Sequence, residues 1–180
     1  EDEDAEVRTV VCDVAEEAQV AAACEPAAAV GRFTMVVANA GSGLAAPLHL
    51  TTLDDWNSVM ATNLTGAFLT IKHSAVHLAR AGGGAIVAIS SIAAPRTHRY
   101  MTPYCVSKAG LEMLVQQAAD ELGSVGIRAN AVRPSLVPTD ISAGLTGSPD
   151  IVADYLDQMP LARLGTTDDI ANAVRFLLGE

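Results

Sequence analysis

"GAIVAISS", residues 84–91, is apolar without a break through its body and closes on two serines. A strand covered on one side only alternates apolar with polar residues. An unbroken run of this length reads as a strand buried on both faces. Gly82–Gly84 make a flexible turn ahead of it. The same grammar recurs along the chain. "FTMVVANAG" (33–41) is apolar on both faces until Asn39, and "IRANAVRP" (127–134) is closed by Pro134. "EVRTVVCDV" (6–14) reads as a further strand ending at Asp13.

Longer helical patterns separate these runs. Thr52 and Asp55 have the spacing of a capping box ahead of residues 53–80. In residues 104–123, Leu111, Leu114, Val115, Ala118 and Leu122 fall on one stripe, with Gly123 as the stop. Pro26 is expected to break a helix over 16–30. Residues 139–160 read as loop and then helix, and the "EDED" start reads as a solvated end. Buried strands alternating with helices give an α/β fold, a doubly wound parallel sheet, with residues 1–180 expected to form one domain.

Composition narrows the function. Half of the 180 residues are hydrophobic, enough for a sizeable core, and only 4% are aromatic. A net charge of −10 argues against a nucleic-acid partner, whose phosphates demand a basic surface. No apolar run is long enough to span a membrane and no basic amphipathic stretch would lie on one. Cys12, Cys24 and Cys105 are odd in number and lack metal-ligand spacing, so they read as buried free thiols in a reducing, cytoplasmic setting. His73 and His77 lie one turn apart without a carboxylate partner in the sequence, and no metal site is expected.

In an open parallel sheet, ligands gather at the carboxyl ends of the strands. Those ends carry Asp13, Asn39-Ala40-Gly41, Ser90-Ser91 and the stretch from Pro134 to Thr139. The helix after Ser91 opens with "YCVSK" (104–108), placing Tyr104 one turn from one of only two lysines, Lys108. A cation about 6 Å away, at an effective dielectric near 20, stabilises a phenolate by roughly 3 kcal/mol. That would lower the tyrosine pKa by about two units, toward useful acid–base range.

Together these pieces resemble the short-chain dehydrogenase/reductase family over essentially the whole chain. The matching motifs are "CDV" (12–14), "ANAG" (38–41), "MATNLTGAF" (60–68), "GAIVAISSIAA" (84–94), "YCVSK", "IRANAVRPSLVPT" (127–139) and "PLARLGTTDDIANAVRFLLG" (160–179). The resemblance implies a Rossmann-like sheet, incomplete here, with the family's strands 3, 4, 5 and 6. It also implies a catalytic tetrad. Tyr104 is the proton donor or acceptor, Ser91 holds the substrate oxygen, Lys108 holds the nicotinamide ribose and depresses the tyrosine pKa, and Asn63 steadies a proton-relaying water. Ser90 is expected to be structural. The cofactor, NAD or NADP, would meet Asp13 and Val14 at its adenine, Asn39, Ala40 and Gly41 on the ribose side, and Pro134, Val137 and Thr139 beyond Lys108. Ser135 and Thr34 depart from the glycine and aspartate common in the family.

The implied reaction is hydride transfer between a nicotinamide cofactor and a secondary alcohol or ketone (EC 1.1.1.-). The alternative is a non-catalytic binding or scaffold protein, or an inactive fragment. The substrate is a small molecule shaped by 92–103 and 139–160, where Ala143, Leu145 and Met159 point to an apolar or mixed ligand. His98 is expected to rim that pocket. Apolar surface on helices 53–80 and 104–122 implies a homo-oligomer, dimer or tetramer, in the full-length protein. The family's N-terminal glycine-rich turn has no counterpart in this sequence, which implies an internal fragment and leaves the choice between NAD and NADP unread. In the family's strand order, 3-2-1-4-5-6-7, the run Val7–Cys12 then loses its neighbour. It is expected to stand apart or to pair non-natively with Thr34–Ala38. Calorimetric titration of the 180-residue chain with NAD(H) or NADP(H) should show no saturable micromolar binding.

Overall fold

The computed structural model describes residues 7–29 and 33–179. Three parallel strands, β1 (Met35–Ala38), β2 (Gly84–Ile89) and β3 (Ile127–Val132), pair in the order β1-β2-β3. Val37 faces Val87, and Val87 faces Asn130, across the register. Among the described residues seven α-helices accompany them: α1 (Glu17–Ala29), α2 (Leu53–Met60), α3 (Gly66–Arg80), α4 (Thr102–Leu122), α5 (Ala143–Thr146), α6 (Pro149–Asp157) and α7 (Thr167–Leu178). α2 and α3 are one helix interrupted by a wider π turn, Ala61–Thr65, with Asn63 at its middle.

Strand alternation divides the side chains between two faces. Val36, Ala38, Ile86, Ala88, Ile127 and Ala129 meet Ile71 and Leu78 of α3 and Leu111, Val115 and Ala118 of α4 in one core. α1 packs against α3 on the same side. Met35, Ala85, Val87 and Asn130 point to the opposite face, where α7 packs on β2 and β3. Its cover is thin. No residue of α7 is fully buried, and Met35 and Val37 remain exposed.

Local signals explain much of this. Thr52 Oγ1 accepts from Asp55 N at 3.1 Å while Asp55 Oδ2 accepts from Thr52 N, so the expected capping box forms. A second box, Thr166 with Asp169, starts α7. The turn into β2 needs its glycines: Gly83 has φ +122°, and a Cβ there would lie 2.6 Å from the Gly126 carbonyl oxygen.

Two expectations fail. Residues 7–13 form no strand, and Val11 is 99% exposed. An extended segment becomes a strand only when a neighbour about 4.8 Å away takes its N–H and C=O groups. Among the described residues no strand pairs with it, so it stands apart from the sheet, the first of the two expected outcomes, and does not pair with Thr34–Ala38. Pro26 does not break α1, which runs through it. The carbonyl left without a donor is that of Ala22, and both residues are exposed, so water can take the place of the lost bond. The "EDED" start and the far end of the 16–30 pattern lie outside the described residues.

Leu111, 1% exposed in the centre of the core, should cost about 2–5 kcal/mol when replaced by alanine. Phe176→Ala on α7, at an 83% exposed position, should stay within about 0.5 kcal/mol of the parent. Urea unfolding of both variants in the full-length protein checks the contrast.

Candidate active site

The carboxyl ends of the three strands open on one cavity of about 720 Å³. Asn39, Ala40 and Gly41 enter it from β1, Ser90 and Ser91 from β2, and Pro134, Val137 and Thr139 from β3. Backbone bonds carry the β2–β3 pairing past the strands, with Ser90 N donating to Val132 O and Ile92 N to Pro134 O at 3.0 Å. That continuation fixes Ser91 beside Pro134. Tyr104 and Lys108 line the same cavity from the first turns of α4.

Lys108 is 4% exposed, and its ammonium donates to Ile89 O at 2.7 Å. Burial pulls its pKa down to about 8. The Nζ atom also lies 5.7 Å from the centre of the Tyr104 ring. The expected lowering of the tyrosine pKa is not found. Burial pushes the Tyr104 phenol up, while the Ser91 hydroxyl beside it works in the opposite sense. Burial is the largest influence on the phenol, while the lysine cation is committed to the Ile89 carbonyl.

Asn63 stands behind this wall and does not line the cavity. Its Oδ1 accepts from Ser42 N at 2.7 Å, and its Nδ2 donates to Ser42 O and to Ser107 Oγ, both at 2.9 Å. The amide thus clamps the loop after β1 to the residue preceding Lys108. Gly41 lies between them: a Cβ there would be in ordinary contact with Asn63 Oδ1 at 3.6 Å and Lys108 Nζ at 3.7 Å. Ser42 Oγ is buried without a hydrogen-bond partner among the described residues.

Asp13 and Val14 lie away from the cavity. Asp13 Oδ1 accepts from Ala15 N in a local turn, and Val14 packs on Gly66, where a Cβ would come within 2.7 Å of its Cγ2. Of the residues expected to shape the substrate, His98, Met101 and Leu145 line the cavity, whereas Arg99, Ala143 and Met159 do not. His73 has a carboxylate partner after all, Glu17 Oε1 at 3.1 Å, and the His77 ring packs against Phe33 at a tilt of 53°. Among the described residues no group of three or more His, Cys, Asp or Glu could hold a metal. The cysteines are free, but only Cys24 is fully buried.

Sequence reasoning missed Glu112. Its carboxylate accepts from Ser90 Oγ at 2.8 Å, from Arg133 Nε at 2.6 Å and from Arg133 NH2. The Arg133 guanidinium, the largest influence, holds the Glu112 carboxyl below its usual range. One side chain so ties α4 to the ends of β2 and β3, and it gives Ser90 the structural role expected of it. The available signal was position, four residues after Lys108 on the same helix face. Ser142 was also missed. Its hydroxyl donates to Val137 O and accepts from Thr139 N, shaping the loop along the cavity floor.

A nicotinamide cofactor fits one end of this cavity. Asn39, Gly41, Lys108, Val137 and Thr139 offer an open, mixed polar cradle beside Tyr104. The described residues hold no glycine-rich turn at the start of a helix for a pyrophosphate.

Comparison with known proteins agrees with this geometry. The family described as enoyl-(acyl carrier protein) reductase matches residues 1–180. The cis-4-hydroxycyclohexanecarboxylate dehydrogenase of Sinomonas cyclohexanicum is 38% identical over 93% of this chain and 68% of its own. A short-chain type dehydrogenase/reductase from Mycobacterium ulcerans superposes with a TM-score of 0.90 at 38% identity, over 94% of this chain and 62% of its own. A gluconate 5-dehydrogenase from Burkholderia cenocepacia, in complex with NADP and tartrate, gives 0.90 at 32% identity, over 93% and 66%. The chain belongs to the short-chain dehydrogenase/reductase family, and its sheet is a partial Rossmann-like fold. It spans 62–68% of the lengths of these relatives.

Lys108 yields a stability prediction that needs no turnover. Its folded pKa, about 8, lies below the ordinary 10.5, so between those values the unfolded chain binds more protons. Stability should therefore rise with pH across that window, by on the order of 3 kcal/mol. In Lys108→Met this part of the slope should vanish. Urea unfolding of the full-length parent and variant at stepped pH measures the difference.

Proposed function

We propose that the protein is an NAD(P)-dependent dehydrogenase/reductase that interconverts a secondary alcohol and a ketone. The observation that carries this reading is the meeting of Ser91, Tyr104 and Lys108 in one cavity at the carboxyl end of β2. When bound, the nicotinamide supplies the hydride chemistry. This chain's residues handle the oxygen and the proton.

Near neutral pH the raised pKa of Tyr104 keeps the phenol protonated, so in the direction of reduction its hydroxyl gives a proton to the substrate oxygen. Ser91 Oγ holds that oxygen. In the direction of oxidation the same tyrosine takes the proton back, and Lys108, cationic below about pH 8, stabilises the phenolate that would form. Asn63 acts through position, holding the Gly41–Ser42 loop against α4. Asn39, Ala40, Gly41, Pro134, Val137 and Thr139 would receive the cofactor. Asp13 and Val14 contribute to this only if the segment 7–14 takes another position.

Residues 1–180 would form one domain of this enzyme. The full-length protein would be a cytoplasmic homo-oligomer, a reading supported by exposed Phe68 and Val76 on α3 and Val106 and Met113 on α4. Among the described residues no helix is long and apolar enough to cross a membrane.

Tyr104→Phe in the full-length protein should lower kcat by about 10²–10⁴-fold. The affinity for NADH or NADPH, followed by cofactor fluorescence, should stay within a few-fold. A variant retaining more than a tenth of the parent rate would remove Tyr104 from the proton step. A parent that binds cofactor yet turns over no alcohol or ketone would favour a binding role.

A further inference from the structure

The outer part of the cavity carries a polar pair that the reaction as proposed does not use. His98 sits in the loop between β2 and α4, and Tyr155 projects from α6. Tyr155 Oη and His98 Nδ1 are 3.3 Å apart, and the rings stack at 6.3 Å with 19° between their planes. Both are half-buried and line the cavity, which also carries the apolar side chains of Ile92, Met101, Ile141 and Leu145. A polar group in such a wall has to find a partner or lose free energy on leaving water.

We propose that His98 and Tyr155 form a neutral clasp for a second, uncharged oxygen of the substrate, selecting hydroxylated secondary alcohols and ketones over monofunctional and anionic ones. This rests on the alcohol–ketone reading above and adds the substrate class to it. Burial, then the nearby Arg96, holds the imidazole below its ordinary pKa, so it is neutral at physiological pH. The clasp uses the tautomer in which the Tyr155 hydroxyl donates to Nδ1 and the ring proton sits on Nε2. The pair then offers an N–H donor from the histidine and free lone pairs on the phenol. A hydroxyl needs one of each. At 3.3 Å the bond between the two is longer than is usual for a hydroxyl donor, so a ligand can enter it at little loss.

Charge excludes the other classes. Among the described residues lining the cavity there is no arginine, aspartate or glutamate. The single cationic lysine there, Lys108, is engaged by Ile89 O. Arg96, beside His98, is exposed and does not line the cavity, so a substrate carboxylate or phosphate would meet no buried counter-charge there. Tyr155 and Tyr104 line the same cavity, so the clasp shares it with the proposed reacting oxygen.

The test compares 2,3-butanediol, 2-butanol and 3-hydroxybutyrate as substrates of the full-length protein with each cofactor. The parent should oxidise the diol with a kcat/KM at least about tenfold above 2-butanol, with 3-hydroxybutyrate poorest of the three. In Tyr155→Phe and in His98→Ala the diol-to-butanol ratio should fall by about tenfold. An unchanged ratio in both variants, or 3-hydroxybutyrate matching the diol in the parent, overturns the clasp. Should none of the three be oxidised, the alcohol–ketone reading fails. The clasp is then judged by ligand-observed NMR. Saturation transfer to 2,3-butanediol should be present in the parent and lost in the double variant Tyr155→Phe/His98→Ala. Equal transfer, or none in the parent, overturns it.

Discussion

A buried ammonium organises this molecule. Lys108 has left water almost completely, and its ammonium donates to the Ile89 carbonyl at the end of the central strand. Removing a cation from water is costly, and the depressed pKa expresses that cost. The bond also anchors the first turns of α4 to the end of β2, which brings Tyr104 toward Ser91. Four residues on, Glu112 repeats the tie with the opposite charge, joining α4 to Ser90 and Arg133. A cation and an anion on one helix thus hold the ends of two strands.

The wider turn at Ala61–Thr65 serves the same arrangement from the other side. A π turn inside a helix redirects one side chain, and such turns recur at functional sites. Here it carries Asn63 inward, where a single amide binds both backbone groups of Ser42 and the hydroxyl of Ser107. Asparagine is a poor helix former, so its place inside a helix asks for a compensating set of bonds. These three contacts supply it.

The strand bodies, the α4 stripe and the Thr52 cap were legible because each rests on local pattern: continuous apolar runs, spacing of 3.6 residues, one side chain meeting a nearby N–H. The convergence of Ser91, Tyr104 and Lys108 was legible because parallel topology brings strand ends together. What failed depended on partners or solvent. Val7–Cys12 has strand composition, but a strand is a property of a pair. Pro26 passed because the Ala22 carbonyl it leaves without a donor lies on an exposed stretch that water can reach. The shift of Tyr104 turned on whether burial or the lysine dominates, and sequence does not reveal where the ammonium points. Glu112 and Tyr155 reach their partners across 21 and 57 residues of chain, a separation that no local pattern encodes.

The thin side of the sheet has a practical meaning. β1 ends the sheet among the described residues, with Met35 and Val37 uncovered on one face. An open strand edge beside apolar side chains is a template for another chain. Residues 1–180 handled on their own therefore present that edge to whatever strand they meet.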